Sequence, residues 1–364
     1  MHKKIALLPG DGIGLEVTNE AVKVLNVIAE KFNHQFHYTE ALVGAIAIDK
    51  TGNPFPKTTE DICKNCDAIL FGAIGSPIYD NDPDAKIRPE QGLLAMRKSL
   101  ELYVNIRPIN YYQSIAHLSP LKESIIKGTD MVIYRELTGG IYFGEKGTEN
   151  NGQEAYDECR YSIIEIERVA KIAFKNAMSR SKKLTLIDKA NVLETSRLWR
   201  RVVMNMAKHY PEVEVNFMFV DNAAMQIILN PKQFDVILTE NMFGDIISDE
   251  ASVIGGSIGL LPSASLGDQY ALYEPIHGSF YQATGKNIAN PIAAILSAAM
   301  MLEHSFGLDT ESKIINNAVK VAIDNGFVTS DINPTDFYPT DFVGNTICEL
   351  IESSININSN SFIL

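Results

Sequence analysis

Six short apolar runs constrain this chain most: residues 5–8, 68–71, 131–134, 184–187, 215–220 and 234–238. Each is unbroken rather than alternating, the pattern of strands covered on both faces. Longer helical stretches lie between them, among them residues 16–31, 162–179 and 196–207. Strand–helix alternation predicts an α/β fold with a largely parallel sheet. At 364 residues the chain exceeds one compact core of ordinary size, so two lobes are expected.

The residues just after these runs carry the chemistry. The first run opens into Pro9-Gly10-Asp11-Gly12, the third into Arg135-Glu136, the fourth into Asp188-Lys189, the fifth into Asp221-Asn222 and the sixth into Thr239-Glu240-Asn241. Ligands of open α/β sheets bind beyond the carboxyl ends of the strands. One charged residue there would mean little, since strands often end in polar residues, but a set of them marks a site.

A net charge of −13 with no dense basic run argues against a nucleic-acid partner. No stretch of about 18 apolar residues occurs, and the start MHKKIALLPGDGIG runs straight into a strand. The expectation is therefore a cytoplasmic protein with no membrane contact. Cys63, Cys66, Cys159 and Cys348 fit a reducing compartment. The pair Cys63/Cys66 has no second pair to complete a zinc site and reads as structural, at a helix end before a buried strand. The tail, residues 353–364, is polar and is expected to fray.

Gly10-Asp11-Gly12-Ile13-Gly14 follows a strand and opens a helix. Leu15 stands where the dinucleotide fingerprint needs a small residue, so a tight turn is the better reading. Asp245 and Asp249, four apart where a loop passes into a helix, project from one face. Two like charges there call for a cation, and hard oxygen donors without His or Cys suit Mg2+ or Mn2+. Asp221 is a candidate third ligand. The plainer reading is a helix-start acid and a solvated neighbour. Glu90, Leu93, Leu94 and Arg97 share one face of a helix begun by Pro89. Such a face suits a ligand with a carboxylate at one end and an apolar branch at the other. Arg107, at the end of another strand, and Arg135 bring the arginines to three, enough to hold two carboxylates. Each alone reads as an ordinary surface or interface arginine.

Seven segments, running in family order from about Ile5 to Leu350, resemble the β-decarboxylating dehydrogenases, and among them the isopropylmalate rather than the isocitrate branch. They are LLPGDGIGLEV, PEQGLLAMRKSLELYVNIRP, YRELTGGIYFGE, DKANVLETSRLWR, ENMFGDIISDEAS, GLLPSASLG and EPIHGSFYQATGKNIANPIAAILSAAMML. The resemblance implies a two-lobed α/β fold whose dinucleotide site is not of the Rossmann type. It implies one lobe from residues 1–102 with 256–364, and a dimerising substrate and metal lobe from 103–255. It implies that Arg97, Arg107 and Arg135 hold the malate carboxylates, that Glu90, Leu93 and Leu94 receive the isopropyl branch, and that Asp221, Asp245 and Asp249 hold Mg2+ or Mn2+. Tyr142 and Lys189 would form the acid–base pair, with Lys189 and Asp221 acting across a homodimer interface. Core packing is the alternative for Tyr142, since GGIYFGE also reads as a strand.

Glu274, His277, Gly278, Ser279 and Asn290 match cofactor-contacting positions. One departure is Gln282, standing where the family's ribose-binding aspartate would be. An amide still bonds a ribose hydroxyl but carries no charge. The lysine and tyrosine of NADP-using relatives are absent at Gln282 and Ala283, so NAD is the expected cofactor. The implied reaction is oxidation and decarboxylation of 3-isopropylmalate in leucine biosynthesis. The alternatives are an isocitrate, homoisocitrate or tartrate/malate dehydrogenase on the same scaffold, or a silent binding subunit.

Overall fold

A computed structural model describes residues 1–81 and 85–354. Twelve strands occur among them: β1 (His2–Gly10), β2 (Gln35–Glu40), β3 (Ala68–Ala73), β4 (Val104–Asn110), β5 (Asp130–Glu136), β6 (Lys146–Glu149), β7 (Glu154–Asp157), β8 (Lys183–Asp188), β9 (Glu214–Phe219), β10 (Val236–Thr239), β11 (Pro262–Leu266) and β12 (Ala271–Pro275). Ten build one sheet in the order β2-β1-β3-β12-β11-β4-β5-β10-β8-β9, and β6 and β7 form a separate hairpin. Six of the nine pairings in the large sheet are parallel. The three antiparallel ones join β12, β11, β4 and β5 at its centre. The fold is therefore α/β with a mixed, mostly parallel sheet.

The sheet sorts the chain. Its β2-β1-β3-β12-β11 half comes from the two ends of the sequence, and its β4-β5-β10-β8-β9 half comes from the middle. The halves meet at β11 and β4, where Ser265 is the register partner of Asn105. Beneath the terminal half runs the helix Ile292–His304, whose residues from Ile292 to Ala299 are all buried. A helix apolar all round is the centre of a core, not its edge. The helix Gly14–Phe32 packs on it through Val17, Ala21, Val24, Leu25 and Ile28.

Most expected elements lie where the periodicity puts them. The run at 162–179 is the helix Ile163–Ser179, and Ser162 is its N-cap. The Ser162 hydroxyl accepts from Glu165 N–H, and Glu165 accepts from Ser162 N–H, a capping box. Three boundaries differ. Val220 and Asp221 do not end a strand; they open the helix Val220–Leu229, with Asp221 in its first turn. Phe243 and Gly244 are already helical, inside Asn241–Ser252. Arg107 lies within β4, not at its end. Of the tail expected to fray, Ser353 ends a helix and residues 355–364 lie outside the described part. Among the described residues no helix is long and apolar enough to cross a membrane.

Candidate active site

Arg135, on β5, is 2% exposed, and Arg107, on β4, is also buried. Both face the helix Asn241–Ser252. Arg135 Nη1 donates to Asp245 Oδ1. Arg107 Nη2 lies 3.5 Å from the same oxygen, and Arg107 Nη1 donates to Asp249 Oδ1 at 3.2 Å. One guanidinium touching both carboxylates places Asp245 and Asp249 on one helix face, as their spacing required. Tyr142 donates to Asp245 Oδ2 at 2.9 Å. It ends the short 3-10 turn Gly140–Tyr142, so the strand reading of its segment does not hold. Close approach is built into the backbone: a Cβ on Gly244 would lie 2.6 Å from Arg135 Cγ.

The electrostatics follow from crowding three buried guanidiniums. Burial, and then repulsion by Arg107 and Arg97, pushes Arg135 down to about 10. Burial opposes ionisation of Asp245, but Arg135 and Arg107 outweigh it and hold its carboxyl below the usual range. Burial raises Asp249 despite Arg107. Burial and then Asp245 raise Tyr142, keeping it protonated at neutral pH. The centre thus gathers three buried guanidiniums that attract anions, a hard-oxygen pair against them and a proton donor beside it.

Lys189 and Asp221 sit elsewhere on the same chain. Lys189 follows β8, and its Nζ lies 2.5 Å from Asp221 Oδ1, which holds the Asp221 carboxyl low. Among the described residues no hydrogen bond or ion pair joins either to Tyr142, Asp245 or Asp249. Nor, among the described residues, do three His, Cys, Asp or Glu side chains of one chain form a metal-holding group. One chain therefore brings together two of the three expected acidic ligands.

On the other side of the seam, Arg97 is buried in the helix Pro89–Ser99 and lies 3.5 Å from Glu274 on β12. Leu93 and Leu94 are half-buried on that helix and Glu90 is exposed. The Glu90 carboxylate and the Ser279 hydroxyl face the space beside Gly75. A Cβ there would lie 3.2 Å from Glu90 Oε1 and 3.5 Å from Ser279 Oγ. The glycine loop is the expected tight turn, and a Cβ on Gly12, at φ +59°, would lie 2.0 Å from the Ser279 carbonyl oxygen. His277 pairs through Nδ1 with the Gly278 carbonyl at 3.0 Å, while its Nε2 is buried without a partner. Asn290 accepts from Ile292 N–H and donates to Asp331, and Gln282 is exposed. An orphaned buried imidazole nitrogen beside an open glycine fits a ligand that supplies the missing hydrogen bond.

Several roles at the site are not legible in the sequence: Asn105 and Ser248 carry no signal there, and Asp11 and Glu240 are marked only as polar residues that follow strands. Asp11 accepts N–H bonds from Ala45, Ile46 and Gly75. It thereby ties the glycine loop to a helix start and to the Gly75 cradle. Asn105 accepts from Arg107 Nε and donates to Ser263 and Ser265 across the seam. Ser248 accepts from Arg107 Nη1. Glu240 is buried, and its Oε2 has no partner. Burial, then the nearby Glu136 and Asp188, pushes it up to about 7. Below its ordinary 4.5 the carboxyl is protonated folded or unfolded. Between 4.5 and about 7 only the folded chain keeps the proton, so stability falls as pH rises, by roughly 3 kcal/mol in all. Glu240→Gln should remove that fall. Melting midpoints of both proteins from pH 4.5 to 8 check it, and identical slopes would rule it out.

Comparison with known proteins agrees with this geometry. A family model described as isocitrate/isopropylmalate dehydrogenase matches residues 4–347. The 3-isopropylmalate dehydrogenase of Priestia megaterium (strain DSM 319 / IMG 1521) is 52% identical over 364 residues, covering 99% of this chain and 98% of its own. That of Bacteroides fragilis (strain YCH46) is 54% identical over 332 residues, covering 91% and 93%. Among solved structures, isocitrate dehydrogenase from Methylococcus capsulatus matches with a TM-score of 0.85 at 32% identity, over 96% of this chain and 99% of that one. A β-decarboxylating dehydrogenase from Thermococcus kodakarensis matches with a TM-score of 0.80 at 36% identity, over 98% and 99%. Full-length identity at this level, on the same mixed sheet, means that this chain is an enzyme of the isocitrate/isopropylmalate dehydrogenase family.

Proposed function

We propose that the chain oxidises and decarboxylates 3-isopropylmalate to 4-methyl-2-oxopentanoate and CO2, using NAD and Mg2+ or Mn2+, in leucine biosynthesis in the cytoplasm. The observation that carries this is the pairing of Leu93 and Leu94 with buried Arg97 on one helix, across from Arg107 and Arg135. Carboxylates go to the guanidiniums and an alkyl branch to the leucines. A third substrate carboxylate, as in isocitrate, would be desolvated against the leucines next to Glu90.

Two carboxylate donors, with Asp221 as the third, fit a hard divalent cation. The bound cation would supply Lewis-acid polarisation of the reacting oxygens, and NAD would accept the hydride. The chain's own groups do the rest. Arg97, Arg107 and Arg135 hold the two carboxylates and orient C2. Lys189 accepts the C2 hydroxyl proton as the hydride departs. The β-keto acid then loses CO2, and its electron pair passes to the enolate. Tyr142, kept protonated by burial and by Asp245, returns a proton to carbon. His277, Glu274, Asn290, Gly278, Ser279 and Gln282 would line the dinucleotide site, with the buried His277 Nε2 as the strongest support.

We also propose a homodimer in which Lys189 and Asp221 complete the partner's Asp245–Asp249 pair. Support comes from exposed Val192, Met204, Met225, Leu229 and Ile246, large apolar side chains in the same stretch of chain as Lys189 and Asp221, since exposed apolar surface invites a partner. The lobes would be residues 1–102 with 256–364, and 103–255, meeting at the β11–β4 seam. NADH formation should be at least about a hundredfold faster, in kcat/KM, with 3-isopropylmalate than with isocitrate or malate. It should stop when a chelator removes the metal and should favour NAD over NADP. Equal rates with isocitrate would overturn the substrate assignment.

A further inference from the structure

Arg135 shows the pocket only part of its guanidinium. Its Nε and Nη2 donate, at 3.0 and 2.8 Å, to one oxygen, Oδ1 of Asn241. Asn241 is 1% exposed and opens the helix Asn241–Ser252. Its Nδ2 donates to the Gly139 carbonyl at 3.2 Å, three residues before Tyr142. Its backbone N–H donates to Tyr161 Oη at 3.0 Å. Tyr161 in turn underlies the Tyr142 loop: a Cβ on Gly140 would lie 2.3 Å from Tyr161 Oη. A guanidinium only donates and a carbonyl only accepts, so the orientation of the Asn241 amide is forced.

We propose that Asn241 is the positioning residue that sets Arg135 and the Tyr142 loop in register, coupling dicarboxylate binding to placement of the proton donor. This rests on the reading of the pocket as the dicarboxylate site. Chemistry explains the amide. The Nε–Nη2 fork is a face that grips carboxylates, and filling it with a neutral oxygen turns the remaining donors toward the pocket while the full positive charge stays. A carboxylate at this position would cancel that charge and repel the Gly139 oxygen. A side chain without a donor would release the loop.

The test compares the parent with Asn241→Asp and Asn241→Ala. Asn241→Asp is isosteric, and its new ion pair with Arg135 offsets the repulsion from the Gly139 oxygen, so its melting midpoint should stay within a few degrees. Its KM for 3-isopropylmalate, and its Kd for malonate by calorimetry with Mg2+, should rise at least about tenfold, with NADH affinity within about twofold of the parent. Asn241→Ala keeps the Arg135 charge but frees both Arg135 and the Tyr142 loop, so kcat should fall and KM should rise less than in Asn241→Asp. A merely structural residue would shift melting midpoints and active fraction and leave KM in place. Unchanged KM and malonate binding in Asn241→Asp overturns the proposal. If the parent fails to turn over 3-isopropylmalate, the assigned reaction falls, and the malonate titration still decides Asn241. A parent that binds no dicarboxylate overturns both.

Discussion

Asp245→Asn should lower kcat/KM by about a thousandfold or more while the chain still folds. Oδ1 of Asp245 faces Arg135 and Arg107, and Oδ2 accepts from Tyr142. The amide keeps the shape but removes the charge, and its NH2 must face either a guanidinium or the Tyr142 hydroxyl. Two functions fail outright, the hard-anion donor for the proposed cation and the counter-charge of two buried guanidiniums, and the one remaining amide oxygen can serve the guanidiniums or Tyr142 but not both. Loss of about 4 kcal/mol of transition-state stabilisation corresponds to that factor. Breaking a fully buried ion pair costs about 3 to 5 kcal/mol of stability. The Asp245 side chain is 35% exposed, so the smaller end or less is expected, as a fall in melting midpoint of a few degrees. The separating measurement is the rise in melting midpoint on adding Mg2+, present in the parent and absent in Asp245→Asn. Activity within tenfold of the parent, or an unchanged Mg2+ response, would sink this assignment.

How much of the fold and site is legible in the sequence depends on whether the signal is local. Unbroken apolar runs mark β1, β3, β5 and β8, because strands covered on both faces need no partner to be recognised. The i, i+4 spacing of Asp245 and Asp249 marks their common face for the same reason. Edge strand β2, with sequence QFHYTE, gives no such mark because Phe36 and Tyr38 are only half-buried. Hairpin β6–β7 is short and almost wholly exposed. Its Asn150-Asn151-Gly152 turn, all at positive φ, is the available cue. Asn105 and Ser248 look like ordinary polar residues in the sequence, and Asn241 is marked there only as one polar residue after a strand. Their roles depend on which arginine the sheet lays against them: Asn105 meets Ser263 and Ser265 only because β11 crosses back beside β4, across some 160 residues. The boundary at Asp221 is hidden because Val220 continues the apolar pattern of β9 while the backbone has already turned helical.

Mixing two dead variants should restore activity. Lys189→Met removes the proposed base, and Asp245→Asn disables the acidic pair, so each variant alone, as the proposed homodimer, should be nearly inactive. If Lys189 serves the partner's site, a mixed dimer has one site built from intact Asp245 of one chain and intact Lys189 of the other. Both lesions then fall in its second site. Random re-pairing of equal amounts gives half mixed dimers, each with one of two sites working, so about a quarter of parental activity returns. If Lys189 served its own chain, every site in every dimer would carry a lesion and nothing would return. The geometry favours the first outcome, since within one chain Lys189 is bonded to Asp221 and, among the described residues, no three acids gather around a metal position. The rescue should appear only after the dimers are dissociated and re-paired, should keep the parental KM, and should need Mg2+. A mixture that stays inactive after verified subunit exchange would place Lys189 within its own chain's site and break the dimer argument.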